Sequence, residues 1–296
     1  MAKIIKRKKL DLTAYDKAVM SSEVNTLYAE SWYLDTLLGN SWAAIVFEDY
    51  KLVMPLPYSR NYRFFFRKKV MHPLFCQQLG IFGDLNALTT LEEKFLELFQ
   101  SSSPYTYQFN SSNKPFLEAT KLTFKERKNY ILPLDADYDE LKKRYSTNLS
   151  RNLKKANKHD LEFTTSTDEE TWFTFLEIKM NQLRLNRQKR WTQRMGRLMK
   201  AAMDMGKGYF AVVKKGDEVL SMAFMMEGQK RLVYLFAVKT AEGGKTGANH
   251  FLIDQIIQRE AGQNQILDFE GSDVEGVERF FKSFGAVNEP YFSLQI

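Results

Sequence analysis

The 296-residue chain has a single cysteine, Cys76, which leaves no internal disulfide framework and no zinc knuckle. Its three histidines, His72, His159 and His250, stand far apart with no ligand spacing, so a metal-free protein is expected. No apolar run approaches the ~18 residues needed to span a bilayer. The amino terminus, MAKIIKRKKLDL, is basic but lacks the apolar stretch of a secretory signal. These absences make a cytoplasmic protein with no transmembrane segment the expectation. No Ser–His–Asp or Cys–His arrangement is legible either, which disfavours chemistry through a covalent enzyme intermediate.

What is present is apolar and basic. Hydrophobic residues make up 44% of the chain and aromatic residues 14%, ample for one large core or two of ordinary size. The net charge is +7, and the basic residues cluster. Lys3, Lys6, Arg7, Lys8 and Lys9 form one group, read here as a poorly ordered arm over residues 1–10. Residues 142–158 hold seven basic side chains and no acid, and residues 179–200 hold eight and no acid. Acids gather instead over residues 268–278. This asymmetry fits an anionic partner: a phosphate-bearing or nucleotide-linked small molecule, RNA, or an acidic membrane surface. It fits equally a set of solvated helix faces that keep the chain soluble.

Periodicity divides the chain near residues 135–139. Before that seam come helices over 11–20 and 31–38, strands over 41–48, 51–57 and 62–71, a helix over 89–100, and strands over 105–110 and 129–134. After it come a basic helix over 138–158, a strand over 161–166, and helices over 168–185 and 191–205. Three strands follow at 208–214, 219–226 and 231–239, then a helix at 248–261 and a last strand at 291–295. The expected domains are thus an arm (1–10), a first half (11–135) and a second half (136–296).

Residues 266–285, ILDFEGSDVEGVERFFKSFG, say most about function. They read as a strand with Asp268 and Glu270 on one face, then a short helix buried through Val277, Phe280, Phe281 and Phe284. Lys282 points away from that stripe, beside a strand's carboxyl end, where open α/β sheets bind ligands. An off-stripe lysine and two acids on one strand face are also what a plain solvated edge looks like.

The run DFEGS…GVERFFKSFGA resembles the closing strand–helix unit of the Fem-like branch of the GNAT acyltransferases, whose F-K-x-x-F-G signature falls here on Phe281, Lys282, Phe284 and Gly285. YSTNLSRNLKKANK (145–158) is similar to the basic helix that opens the second half of those proteins. SWYLD, VMPLP and QQLGIF in the first half resemble an uncharacterised bacterial set in the same superfamily. The resemblance implies an α/β (α+β) fold of two tandem GNAT-like units, each a mixed, mainly antiparallel sheet flanked by helices. It implies an enzyme too: an N-acyltransferase moving an acyl group from acyl-CoA (acetyl-CoA) to an amine by direct transfer.

In that family the loop after the fourth strand binds the donor's pyrophosphate through free backbone N–H groups and a helix dipole, with the pattern Q/R-x-x-G-x-G/A. The matching residues are Gly244, Lys245, Thr246, Gly247, Ala248 and Asn249; Gly247 keeps the first glycine, while Gly244 and Asn249 replace the flanking positions. A flexible turn is the plainer reading of these glycines. A nucleotide P-loop fails, because its first glycine would be Lys239. Acyl transfer to an amine needs a group that accepts or orients the amine, for which Glu270 or Asp268 is the candidate, while the resemblance gives Lys282 to developing negative charge. Arg151 and Lys155 are candidates to hold an anionic substrate or donor, and Tyr234 is a candidate proton donor. Two alternatives stay open: a Fem-like aminoacyltransferase using aminoacyl-tRNA, and a non-catalytic binder of an anionic partner.

Overall fold

A computed structural model describes residues 1–24, 26–60, 67–90, 92–183, 189–271 and 273–295. The start of the expected strand over 62–71 and the end of the expected helix over 168–185 lie outside the described residues. The chain forms two compact units, Met1–Lys128 with Glu289–Ile296, and Asn129–Asn288.

The first unit is built on a six-stranded sheet ordered β1 (Ala2–Lys6), β2 (Trp42–Phe47), β3 (Leu52–Arg60), β4 (Lys68–Met71) and β6 (Pro104–Thr106), with β5 (Phe82–Gly83) also on β3. The expected disordered arm is corrected: β1 pairs antiparallel with β2, Ile4 opposite Ile45. The arm is tied down because the Arg7 guanidinium bonds Asp35 through two nitrogens, at 2.7 and 2.5 Å, a fork matched to a carboxylate. The β2–β3 turn lies at Glu48, Asp49 and Tyr50, all at positive φ (33°, 40° and 66°). Helices α1 (Leu12–Ser21), α2 (Ser31–Leu38), α3 (Glu92–Ser101) and α4 (Lys114–Ala119) complete the unit. A small sheet adds β7 (Gln108–Phe109), β16 (Tyr291–Leu294) and β8 (Phe124–Arg127).

The second unit begins with the strand β9 (Tyr130–Pro133). The single basic helix expected over 138–158 is broken. Residues 138–143 form α5 (Tyr138–Lys143) and residues 147–156 form α6 (Thr147–Ala156), because Ser146 caps the second through Oγ, which accepts from the Leu149 N–H at 3.2 Å. There follow β10 (Glu162–Ser166), α7 (Glu169–Leu183), α8 (Lys189–Asp204), β11 (Gly208–Lys215), β12 (Glu218–Glu227) and β13 (Arg231–Lys239). The segment ends with α9 (Ala241–Thr246), α10 (Ala248–Glu260), β14 (Ile266–Asp268), α11 (Glu275–Lys282) and β15 (Val287–Asn288). The seven strands are ordered β10-β11-β12-β13-β14-β9-β15. One face of this sheet buries a core of Leu149, Leu153, Leu252, Ile253, Ile256, Phe269, Phe281 and Phe284.

The sheet forks at its centre. β13 runs parallel to β14 for three residues only, Arg231↔Ile266 to Val233↔Asp268. β14 then ends while β13 continues to Lys239, so the edge of β13 that faced β14 is left without a partner strand. At the base of the fork the Arg231 guanidinium lies 2.8 Å from the Asp268 carboxylate, with the two side chains 4% and 0% exposed.

Removing one member of a buried ion pair strands the other charge, at a cost of about 3–5 kcal/mol. Arg231→Leu is expected to lower the urea midpoint accordingly, whereas the double change Arg231→Leu with Asp268→Leu recovers most of the loss. A second expectation concerns the first unit. His72 is half-buried as the neutral Nε2–H tautomer, donating to the Cys76 carbonyl at 2.8 Å and accepting from the Gln108 N–H at 3.2 Å. Burial pulls its pKa down to about 4. The folded value lies below the unfolded one, so the contribution is present above pH ~6.5 and drains away as pH falls toward 4, by about 3 kcal/mol. His72→Gln is expected to flatten that limb of a stability–pH curve.

Candidate active site

A cavity of about 390 Å³ opens beside the fork. Its walls come from β13 (Tyr234, Lys239), α9 (Gly243, Gly244), the start of α10 (Gly247, Asn249, His250) and α11 (Gly276, Val277, Phe280, Phe281). Among the described residues the lining contains one lysine, one histidine and no carboxylate.

The lining depends on a β-bulge. Along a regular strand, residues five apart face opposite sides, so Tyr234 and Lys239 should not line one cavity. Between β12 and β13 the register passes from Phe224↔Phe236 to Met225↔Tyr234, which leaves Leu235 as an extra residue. That insertion reverses the alternation and turns Tyr234 and Lys239 to the same face. Phe236 faces the other way, against Trp191 of α8 (ring centroids 6.2 Å apart).

Tyr234 is buried against Phe269 and Phe281 (centroids 6.3 and 6.4 Å). Its hydroxyl donates to Asn249 Oδ1 at 3.3 Å, and Ser221 Oγ donates to the same oxygen at 3.2 Å. Burial raises the phenol pKa, so Tyr234 stays protonated at neutral pH and suits proton donation. His250 packs edge-on to Phe280 (5.0 Å), with Nε2 3.4 Å from Asn152 Nδ2 of α6. Burial first, then the charge of Lys239, lowers its pKa and keeps the ring neutral. Position 250 showed nothing in the sequence, because a lone histidine carries no spacing signal.

The expected phosphate loop takes a different form. Residues 241–246 are helical, since Thr240 caps α9 with Oγ1 accepting from the Gly243 N–H at 3.0 Å. Gly243 is wedged under β12, where a Cβ would fall 2.1 Å from the Leu220 carbonyl. Gly247 breaks the chain in the left-handed region (φ 81°), and α10 starts there with no side-chain cap. Gly247 and Asn249 therefore bring the first turn of α10 to the cavity, where unpaired amides and the helix dipole favour an anion. Lys245 is exposed and paired with Glu242 at 3.3 Å, Thr246 bonds back to the Glu242 carbonyl, and Ala248 is core.

The acids and the lysine of residues 268–282 do not gather round this cavity. Asp268 is fully buried, bonded to Arg231 and, at 2.9 Å, to the Glu270 N–H; it holds the fork and is closed to a substrate. Glu270 is half-buried just beyond β14 at φ 53°, so the face shared with Asp268 is not formed. Lys282 is 54% exposed and paired with Glu278 at 2.6 Å, and its ammonium lies 5.6 Å from the Tyr130 ring centroid. That ion pair, first of all, raises its pKa. The expected buried stripe of α11 is split: Phe281 and Phe284 are core, while Val277 (36% exposed) and Phe280 face the cavity. Arg151 and Lys155 are exposed on α6.

Comparison with known proteins follows this geometry. Residues 143–280 match the family described as "Acetyltransferase (GNAT) domain". No protein of curated function matches the sequence. The fold is shared with FemX, at 15% identity and a TM-score of 0.70, over 99% of this chain and 97% of that one. It is shared with the C-terminal domain of a putative lysylphosphatidylglycerol synthetase from Agrobacterium fabrum, at 13% identity and a TM-score of 0.63, over 97% and 91%. It is shared also with a tandem GNAT protein from the clavulanic acid biosynthesis pathway, at 10% identity and a TM-score of 0.54, over 99% and 98%.

Gly276 offers a direct test of the cavity. A Cβ there meets nothing within 4 Å, although the residue sits on the cavity wall in the first turn of a helix. Gly276→Ala is expected to raise stability by roughly 0.5–1 kcal/mol through helix propensity. Gly276→Leu is expected to remain folded by circular dichroism and to lose ligand binding by at least tenfold in calorimetry. Residues 143–280 thus match a GNAT acetyltransferase domain, and the chain shares its fold with FemX along nearly its whole length.

Proposed function

We propose that this protein is an N-acyltransferase that passes an acyl group directly from an adenosine-phosphate donor, acyl-CoA in the first reading, to an amine. The observation that supports this most is the cavity joining the Tyr234 hydroxyl to the first turn of α10 and Lys239, with no carboxylate in its lining. Such a lining accepts a phosphate at one end and an apolar arm along Val277, Phe280 and Phe281. It offers the start of α10 and one lysine, less than a full pyrophosphate loop, because the Gly247, His250 and Phe251 amides are already bonded to backbone carbonyls.

In this reading the acceptor nitrogen attacks the acyl carbon and forms the C–N bond. The carbonyl electron pair moves onto oxygen and then returns as the C–S bond breaks. The leaving thiolate takes the Tyr234 proton, and the nitrogen releases its own to solvent, from which the phenol is restored. The same balance holds with a C–O bond if the donor is an aminoacyl ester.

That second donor, aminoacyl-tRNA, is favoured by the likeness to FemX and by the exposed basic residues of α6 and just beyond it, Arg151, Lys154, Lys155 and Lys158. Lysylphosphatidylglycerol synthetase, the other named neighbour, extends the acceptor candidates to lipid-linked molecules. Arg151 and Lys155 would then hold the anionic part of donor or acceptor. A cytoplasmic setting suits either donor.

Acetyl-CoA at a hundred times its Kd is expected to stabilise the protein by about 2.7 kcal/mol. Lys239→Ala is expected to weaken CoA binding about tenfold. Tyr234→Phe is expected to leave binding intact while lowering kcat 10- to 100-fold in transfer to a panel of amines. Stabilisation by aminoacyl-tRNA with none by CoA would move the assignment to the second donor. Stabilisation by neither would leave the non-catalytic binder.

A further inference from the structure

Lys179 reaches the edge of β13 beyond the end of β14. It lies on α7, which packs on the face of the sheet opposite the cavity. Its side chain is half-buried, and Nζ donates to the Ala237 carbonyl at 3.1 Å, beyond the point where β14 has ended. Among the described residues it has no carboxylate partner, and the chain contains no acid between Glu177 and Asp204. Burial alone drives its pKa down.

An ammonium withdrawn from water without a counter-charge is costly, and a hydrogen bond to one carbonyl does not offset it. A methionine would cover the same surface without that cost. An unpaired cation is useful where negative charge arises only transiently. Nζ carries three hydrogens. One is held by Ala237, which fixes the ammonium at the fork, and two remain.

Resting on the acyl-transfer reading, we propose that Lys179 binds the oxyanion formed when the acceptor amine attacks the donor's acyl carbon. As the C–N bond forms, the carbonyl π pair moves onto oxygen, and the Lys179 N–H groups bond that oxygen without giving up a proton. When the C–S bond, or the ester C–O bond, breaks, the pair returns and the lysine is unchanged. Tyr234 serves the leaving group from the cavity face, and Lys179 serves the oxygen from the α7 face. The role expected for Lys282 thus passes to a residue that carries no motif.

The test compares wild type, Lys179→Met and Lys179→Arg in acyl transfer from acetyl-CoA, or from aminoacyl-tRNA if that is the active donor, with donor affinity measured by calorimetry. Lys179→Met is expected to lose 10²- to 10³-fold in kcat with donor Kd within twofold, and Lys179→Arg to recover part of the loss. An active wild type with an unaffected Lys179→Met overturns this assignment alone. So does a Lys179→Met whose rate falls only in proportion to its folded fraction while Lys179→Arg matches wild type, since that marks a cap on the strand edge. An inactive wild type overturns the acyl-transfer reading itself.

Discussion

The candidate site depends on β13 and β14 parting after three paired residues, and on the buried Arg231–Asp268 contact that holds them where they part. Two parallel strands paired along their length would close the sheet and leave no exposed backbone edge beside Tyr234. A fork with nothing at its base would let the strands slide or separate further. The guanidinium and the carboxylate fix the last paired rung, Val233↔Asp268, and the second carboxylate oxygen anchors the Glu270 amide as the chain turns away at positive φ. The interaction is costly to desolvate, so its value is better sought in geometry than in net stability. It makes one arrangement of the fork much better than its neighbours.

The bulge at Leu235 is the second constraint, and it acts one residue beyond Tyr234. It brings Tyr234 and Lys239 to one face and turns Phe236 to the other, so the same strand supplies a hydroxyl and a lysine to the cavity and an aromatic anchor to α8. Electrostatics follow from this placement. The cavity combines Lys239, a neutral His250 and the positive end of α10 with no acid, while carboxylates close by are taken up in pairs, Asp268 with Arg231 and Glu278 with Lys282. A phosphate entering there meets no like charge. A further lysine, Lys179, reaches the same strand edge from the α7 side.

The elements were legible where their pattern is long. The helix 31–38, the strand 231–239 and the longer elements after residue 161 could be read because their apolar spacing persists over two or more turns or pairs, whereas the six-residue α9 and two-residue β15 were not. Short pieces were not: α4 has six residues and β8 four, too few for a period to declare itself. The break between α5 and α6 was hidden because Ser146 is an ordinary residue until it caps a helix. The seam was placed a few residues late: β9 pairs with β14 in the second unit's sheet, while β16 pairs with β7 and β8 in the first.

Among the site residues, Tyr234, Gly244, Gly247 and Asn249 are brought to one cavity, and for a reason sequence can carry: strand, glycines and helix start follow each other within sixteen residues. Asp268 and Lys282 were singled out because their types suit the chemistry, but type does not reveal a partner. Whether a charged side chain is available depends on what faces it across the fold, and both found counter-ions, one on β13 and one a helical turn away. The converse holds for Lys179, which looks like any solvated helix lysine until the sheet beneath it opens. A charge becomes chemically useful when the fold withholds its partner, and that is decided by a contact between α7 and β13, 58 residues apart in the chain, rather than by any local motif.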